Sequence, residues 1–156
     1  MADFAPCDPE DAPASELLAE MSAELNELYW TQSRLSLPRL VPVELRAPTG
    51  IFLVGWEGSR AVAGGGLRQF ADGVAEIKRM FVRPPARSRG VAGELLSALE
   101  AAAYALGYHR ARLDTGPKQV HAIRLYERAG FAPIEPYNDN PFACFWGEKE
   151  LQPPSS

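Results

Sequence analysis

Cysteine, histidine, positive charge and long apolar runs are all scarce in this 156-residue chain, and each scarcity removes a class of protein. Cys7 and Cys144 are too few for a disulfide framework, so a reducing, cytoplasmic compartment is expected. Two histidines and two distant cysteines give no metal-ligand spacing, and no metal is expected. No stretch approaches the roughly 20 apolar residues of a membrane span. The start, MADFAPCDPEDAP, is acidic and lacks the basic opening and apolar core of a signal peptide. Sixteen Lys and Arg face twenty Asp and Glu, for a net charge of -4. Nucleic-acid-binding domains carry a clear positive excess, so neither nucleic acid nor membrane is an expected partner.

What remains is ordinary globular material, 46% hydrophobic and 23% charged. At this length one domain is expected, over residues 14–151, between a disordered tail at 1–13 and a short one at 152–156. SELLAEMSAELNELYW places Leu17, Leu18, Met21, Leu25 and Leu28 at helical spacing, with Ser15 or Asp11 as cap. The proline-bearing stretch from Thr31 to Gly50 reads as a long loop of the kind that often carries function. IFLVGW, AVAGGGLRQF and VAEIKRMFV then read as three strands of a meander. VAGELLSALEAAAYALG is a strong helix closed by Gly107, HRARLDT a strand, and KQVHAIRLYERAG a helix stopped at Gly130. FAPI and FACFWGEKEL supply two last strands, the final one able to pair across a homodimer or within one chain. This order predicts a single-domain α/β fold, one mixed sheet with helices on its faces.

One turn is out of keeping with an acidic protein. RPPARSRGVAGELL, Arg83 to Leu96, gathers arginines where a strand ends and a helix begins. The first amides of a helix have no internal partners, and its dipole adds partial positive charge there. Gly90 and Gly93, with the small Ala92 between them, allow a ligand's phosphates to approach the backbone. Arg87 and Arg89 are placed to add charge-assisted bonds. The turn therefore reads as a pyrophosphate cradle, although it has neither a Walker ending nor a complete G-x-G-x-x-G. The plain alternative is a solvated basic loop with helix-packing glycines.

Arg87-Ser88-Arg89-Gly90-Val91-Ala92 resembles the R/Q-x-x-G-x-G/A signature of the GNAT superfamily, the acetyl-CoA-dependent N-acetyltransferases. AEIKRMFVRP is similar to that family's strand leading into the loop, and AIRLYERAGF, Ala122 to Phe131, to its second cofactor-side segment. The resemblance implies a mostly antiparallel sheet with a splayed central strand pair. It implies that the backbone of Met80, Phe81 and Val82 meets the pantetheine arm. The amides of Arg87, Ser88, Arg89, Gly90, Val91, Ala92 and Gly93 would hold the pyrophosphate. It also implies Tyr126 as the acid that protonates the departing thiolate. Gln119 stands where many members carry Asn in contact with the cofactor.

Acetyl transfer to an alkyl amine requires removal of a proton, since such amines are charged at neutral pH. Glu76 falls where some members of that family carry the base, and strict alternation puts it on one face with Lys78 and Met80. An ion pair with Arg68 on the neighbouring strand is the competing account. Tyr126, with its phenol, is either that acid or an aromatic packed between helix and sheet. An amide of Met80 or Phe81 can polarise the thioester carbonyl. Asp114 and Thr115 can reach the cleft, whereas His121 is expected at the surface or capping a helix turn. Arg34, Arg39 and Arg46 belong to the loop that would roof the acceptor, and Tyr137, Asn138 and Asn140 to its opposite wall. The expected function is acetyl transfer from acetyl-CoA to an amine. The rival reading is a CoA-binding sensor or scaffold without turnover.

Overall fold

The computed structural model describes residues 2–28, 42–116 and 120–154. Its elements run β1 (Asp3–Pro6), α1 (Ala14–Leu28), β2 (Ile51–Glu57), β3 (Arg60–Ala71), β4 (Val74–Val82), α2 (Val91–Ala105), β5 (Arg110–Thr115), α3 (Val120–Arg128), β6 (Ala132–Pro133) and β7 (Phe145–Glu150). Short 3-10 turns lie at Pro42–Leu45 and Pro84–Ala86. The strands form one seven-stranded sheet in the order β1-β2-β3-β4-β5-β7-β6. Every neighbouring pair is antiparallel except β4 with β5.

Alternation along the strands sorts the core into two layers. On one face Leu53, Ala63, Leu67, Ala75 and Ile77 pack with Leu95, Leu96 and Leu99 of α2 and with Tyr126 of α3. On the other, Phe52, Val54 and Phe81 pack with Ala14 and Leu17 of α1 and with Leu45. α1 opens at Ala14, so Ser15 lies within it, and Asp11 takes the Ser15 amide through its backbone carbonyl. Neither residue is the expected side-chain cap. Gly107 and Gly130 end α2 and α3 with φ of 102° and 100°, the left-handed region that glycine enters without cost.

Two expectations are corrected. Residues 3–6, assigned to a disordered tail, form the edge strand β1, paired with Leu53–Trp56 of β2. Gly55 makes this possible: a Cβ there would stand 2.7 Å from the Phe4 ring. The strict alternation of Glu76, Lys78 and Met80 also fails. Gly64 pairs with Phe81 and Gly66 with Lys78, so Arg79 and Met80 together oppose Gly65 alone. This is a β-bulge, with Arg79 at φ 61°. Beyond it the faces exchange: Met80 joins the α2 layer and Phe81 the α1 layer.

The run Gly64-Gly65-Gly66 is the thinnest part of the sheet. A Cβ at Gly64 would lie 3.0 Å from Phe52 Cε1 and 3.1 Å from Leu17 Cδ1. Gly64→Val is therefore expected to destabilise the protein by about 1–3 kcal/mol through overpacking. Urea titration measures this directly, and an unchanged midpoint would show that the α1 layer is not closely packed on β3.

Candidate functional site

β4 and β5 pair at only three positions, Val74 with Arg110, Ala75 with Ala111 and Glu76 with Arg112. β4 continues to Val82 beside β3, while β5 continues to Thr115 beside β7. The central pair thus opens into a wedge. At its mouth Met80, Phe81, Val82, Arg87, Ser88, Gly90, Val91, Ala92 and Gly93 line one groove of about 420 Å³, with His121, Leu125 and Tyr126 of α3 opposite them. His121 is exposed there. Gln119, Arg34 and Arg39 lie outside the described residues.

The floor of the groove is the start of α2. Gly90 is the N-cap, at φ 83° and without a side-chain cap. The Glu94 amide is bonded to the Gly90 carbonyl, and the amides of the first turn before it have no partner within the helix. Ser88 also has positive φ, 66°, an uncommon conformation for a residue with a Cβ. A Cβ added at Gly90 would meet nothing within 4 Å, so the space above the cap is open. Backbone donors and a helix dipole converge on that space, which makes it suited to an anion.

The arginine side chains behave differently from expectation. Glu16, Glu20 and Glu24 stand four residues apart on one face of α1. Arg83 pairs with Glu20 at 2.7 Å and with Glu16 at 3.8 Å, and Arg87 with Glu24 at 2.6 Å. Arg87 also donates to the Val82 carbonyl and lies over the Phe81 ring. Arg89 pairs with Glu57 at 2.8 Å and lines a separate cavity beyond the Pro84–Ala86 turn, with Trp56 and Arg83. The side-chain charge of Arg83, Arg87 and Arg89 is thus engaged by acids, and Arg87 also lines the groove.

Tyr126 reaches the wedge from α3. Its hydroxyl is 3.9 Å from the Met80 sulfur, and its ring packs against Phe131 and Phe145. Burial, helped by the negative charge of Asp114, pushes its phenol up to about 12. The group stays neutral and protonated throughout the physiological range.

The opposite side of the wedge is polar. Glu76, 1% exposed, accepts from Arg68 Nε at 2.9 Å and from the Tyr137 hydroxyl at 2.8 Å. Arg68 also bonds Glu44. The ion pair expected as the competing account of Glu76 is therefore present. Asp114 accepts from Asn138 at 2.6 Å and Asn140 at 3.4 Å, and Trp146 donates to Asn138 at 2.9 Å. The loop between β6 and β7 thus reaches both acids, whereas Thr115 is simply buried. Arg46 is tied to Asp8 and Glu10 instead. Lys78 was not among the expected site residues, yet its ammonium lies 3.5 Å from Glu76 and 3.7 Å from Asp114. Its place on the strand beside Glu76 was the available signal.

The acetyltransferase (GNAT) family model matches residues 15–131. An "IAA acetyltransferase" of Azospirillum brasilense is 34% identical over 142 residues, covering 87% of this chain and 89% of the relative. A solved structure from Klebsiella pneumoniae, provisionally named an acyl-CoA N-acyltransferase, is 31% identical. It superposes with a TM-score of 0.75, covering 97% of this chain and 99% of that one. A family acetyltransferase of Elizabethkingia anophelis with acetyl-CoA bound shares the fold at 18% identity, with a TM-score of 0.67 and coverage of 96% and 98%.

The buried phenol makes a claim on stability. A raised pKa favours the neutral form in the folded state, so its stabilisation is complete below about pH 10 and fades as pH rises towards 12. The difference between 10 and about 12 corresponds to roughly 2–3 kcal/mol. Tyr108 and Tyr137 are also raised, first by burial, so the wild-type curve alone is composite. Between pH 10 and 12, Tyr126→Phe is expected to lose less stability than wild type. Parallel curves in denaturant titrations would place the hydroxyl in contact with solvent.

Proposed function

The chain belongs to the acetyltransferase (GNAT) family, and we propose that it moves acetyl from acetyl-CoA directly to the primary amine of a small molecule or peptide. The observation that carries this reading is the wedge: a strand pair that parts after Glu76 and Arg112, directly beside the uncapped start of α2. Pyrophosphate would lie on the amides of Ser88 to Gly93. The pantetheine arm would run along the backbone of Met80, Phe81 and Val82, where β5 no longer occupies the β4 edge. An amide of Met80 or Phe81 would polarise the thioester carbonyl. Cytoplasm is the proposed compartment, where the thiol product, Cys7 and Cys144 stay reduced.

The transfer needs one proton removed and one supplied. The neutral amine nitrogen attacks the thioester carbonyl carbon, a C–N bond forms and the C–S bond breaks. The amine gives a proton to a base, and the thiolate takes one from Tyr126, leaving an N-acetyl amine and free CoA. A phenol near 12 is a reluctant acid, but it donates a hydrogen bond to sulfur as charge develops. Glu76 is the base in this reading, acting through water. Arg68 and Tyr137 engage different oxygens of its carboxylate, and each oxygen has a second lone pair.

Thiol release from acetyl-CoA in the presence of amines tests the activity and separates it from a sensor that binds without turnover. Tyr126→Phe is expected to lower kcat about 10²–10⁴-fold with little change in acetyl-CoA affinity. Unaltered turnover would return the hydroxyl to a packing role. Glu76→Gln is expected to lower turnover at neutral pH, with a deficit that shrinks as pH approaches the amine's own pKa of ~10.4. A flat mutant-to-wild-type ratio across pH would assign the proton to another acceptor.

A further inference from the structure

We propose that Tyr137 is the proton relay of the transfer: its hydroxyl takes up the proton that leaves the amine while passing its own to Glu76. The inference rests on the reading of Glu76 as base and says how a buried carboxylate is reached.

Glu76 is fully buried, so a proton from the cleft has to arrive through whatever touches its oxygens. Arg68 donates to Oε1 at 2.9 Å, and the Tyr137 hydroxyl donates to Oε2 at 2.8 Å. The Lys78 ammonium stands 3.5 Å from Oε2, and Arg79 lies in the field of the same carboxylate. A guanidinium or an ammonium has donors but no lone pair, so none of these three cations can accept a proton. A phenol hydroxyl has both a donor and lone pairs. Tyr137 is therefore the partner that can accept on one side while it donates on the other. It is half-buried, so it extends from the carboxylate towards the surface.

Its placement fits that task. Glu76 and Arg112 are the last residues paired between β4 and β5, at the apex of the wedge. Tyr137 lies across that rung, with its hydroxyl on Glu76 and the Arg112 guanidinium 5.5 Å from its ring centroid. Phe70 meets the same ring edge-on at 5.0 Å, and Arg112 is itself held by Glu148. Both contacts fix the ring and keep its oxygen beside Glu76. Burial, then the negative charges of Glu76 and Asp114, push the phenol well above its ordinary value. It does not persist as a phenolate, which suits a group that passes a proton without keeping the charge.

The step balances. An N–H bond of the protonated amine breaks as an O–H bond forms on Tyr137, directly or through one water. The original hydroxyl proton moves to Oε2 of Glu76, leaving a neutral amine, a neutral phenol and a protonated carboxyl. Arg68 with Glu44 behind it, Lys78 and Arg79 on β4, and Arg112 and Asp114 on β5 set the charge around this path. All of them are retained in the variants below.

The test uses the best amine found by thiol release from acetyl-CoA over a panel of amino-acid amides, polyamines and short peptides. Tyr137→Phe removes one oxygen and leaves the ring against Phe70 and Arg112. At neutral pH it is expected to lower kcat about ten- to hundredfold, with acetyl-CoA affinity by calorimetry within about twofold. The deficit is expected to shrink as pH approaches the amine's own pKa of ~10.4. Added to Glu76→Gln, the same substitution is expected to cost less than about twofold more, because both act on one proton. A hydroxyl with a structural role alone would lower turnover at every pH and multiply its effect with that of Glu76→Gln; either result overturns the relay. Unaltered turnover in Tyr137→Phe beside a slowed Glu76→Gln overturns it too, and leaves Glu76 as a base reached by another path. A Glu76→Gln enzyme as fast as wild type overturns the base itself, and silence with every amine overturns acetyl transfer, each taking the relay with it.

Discussion

The molecule depends on a hydrogen-bond ladder that stops. Three residue pairs hold β4 to β5, and beyond Glu76 the two strands diverge. A sheet that parts in its middle exposes unpaired backbone, a cost that the remaining structure must offset. β4 stays attached to β3 through the whole span, by way of the bulge at Arg79. The close approach of both helical layers at Gly64-Gly65-Gly66 anchors β3 in turn. The opening is thus built on the most tightly packed part of the sheet. In a family that uses an acyl-thioester donor, the β4 edge that β5 leaves is suited to an extended ligand with amides of its own.

The bulge divides the site chemically. Before it, the side chains of Glu76 and Lys78 point into the ion-paired network shared with Arg68, Asp114 and the β6–β7 loop. After it, Met80 turns to the apolar layer beside Tyr126. One strand therefore serves a polar wall and an apolar wall within five residues. A regular strand would have put Met80 among the charges. The α1 acids add a further constraint, because Glu20 and Glu24 hold Arg83 and Arg87 at the loop's flank. Such exposed pairs are worth about 0–1 kcal/mol each, enough to orient side chains but not to hold them against a phosphate.

Much of this was legible in the residues. VAEIKRMFV alternates and forms a strand over the expected Val74–Val82, and Gly107 and Gly130 end their helices where the pattern places them. The helix start at Val91 follows from Gly90, whose φ is open to glycine. The bulge was not legible, because its left-handed residue is an arginine and carries no local mark. β1 was hidden for another reason: its pairing depends on Gly55, some fifty residues away. The glutamates of α1 show helical spacing, but only the packing of α1 onto the β4 side reveals that arginines meet them.

Backbone hydrogen exchange with and without acetyl-CoA addresses the central claim most directly. New protection is expected at the amides of Met80 to Val82 and of Ser88 to Gly93, with little change along β1 and β2. Protection confined to the cavity lined by Trp56, Arg83 and Arg89, or none in either segment, would contradict it.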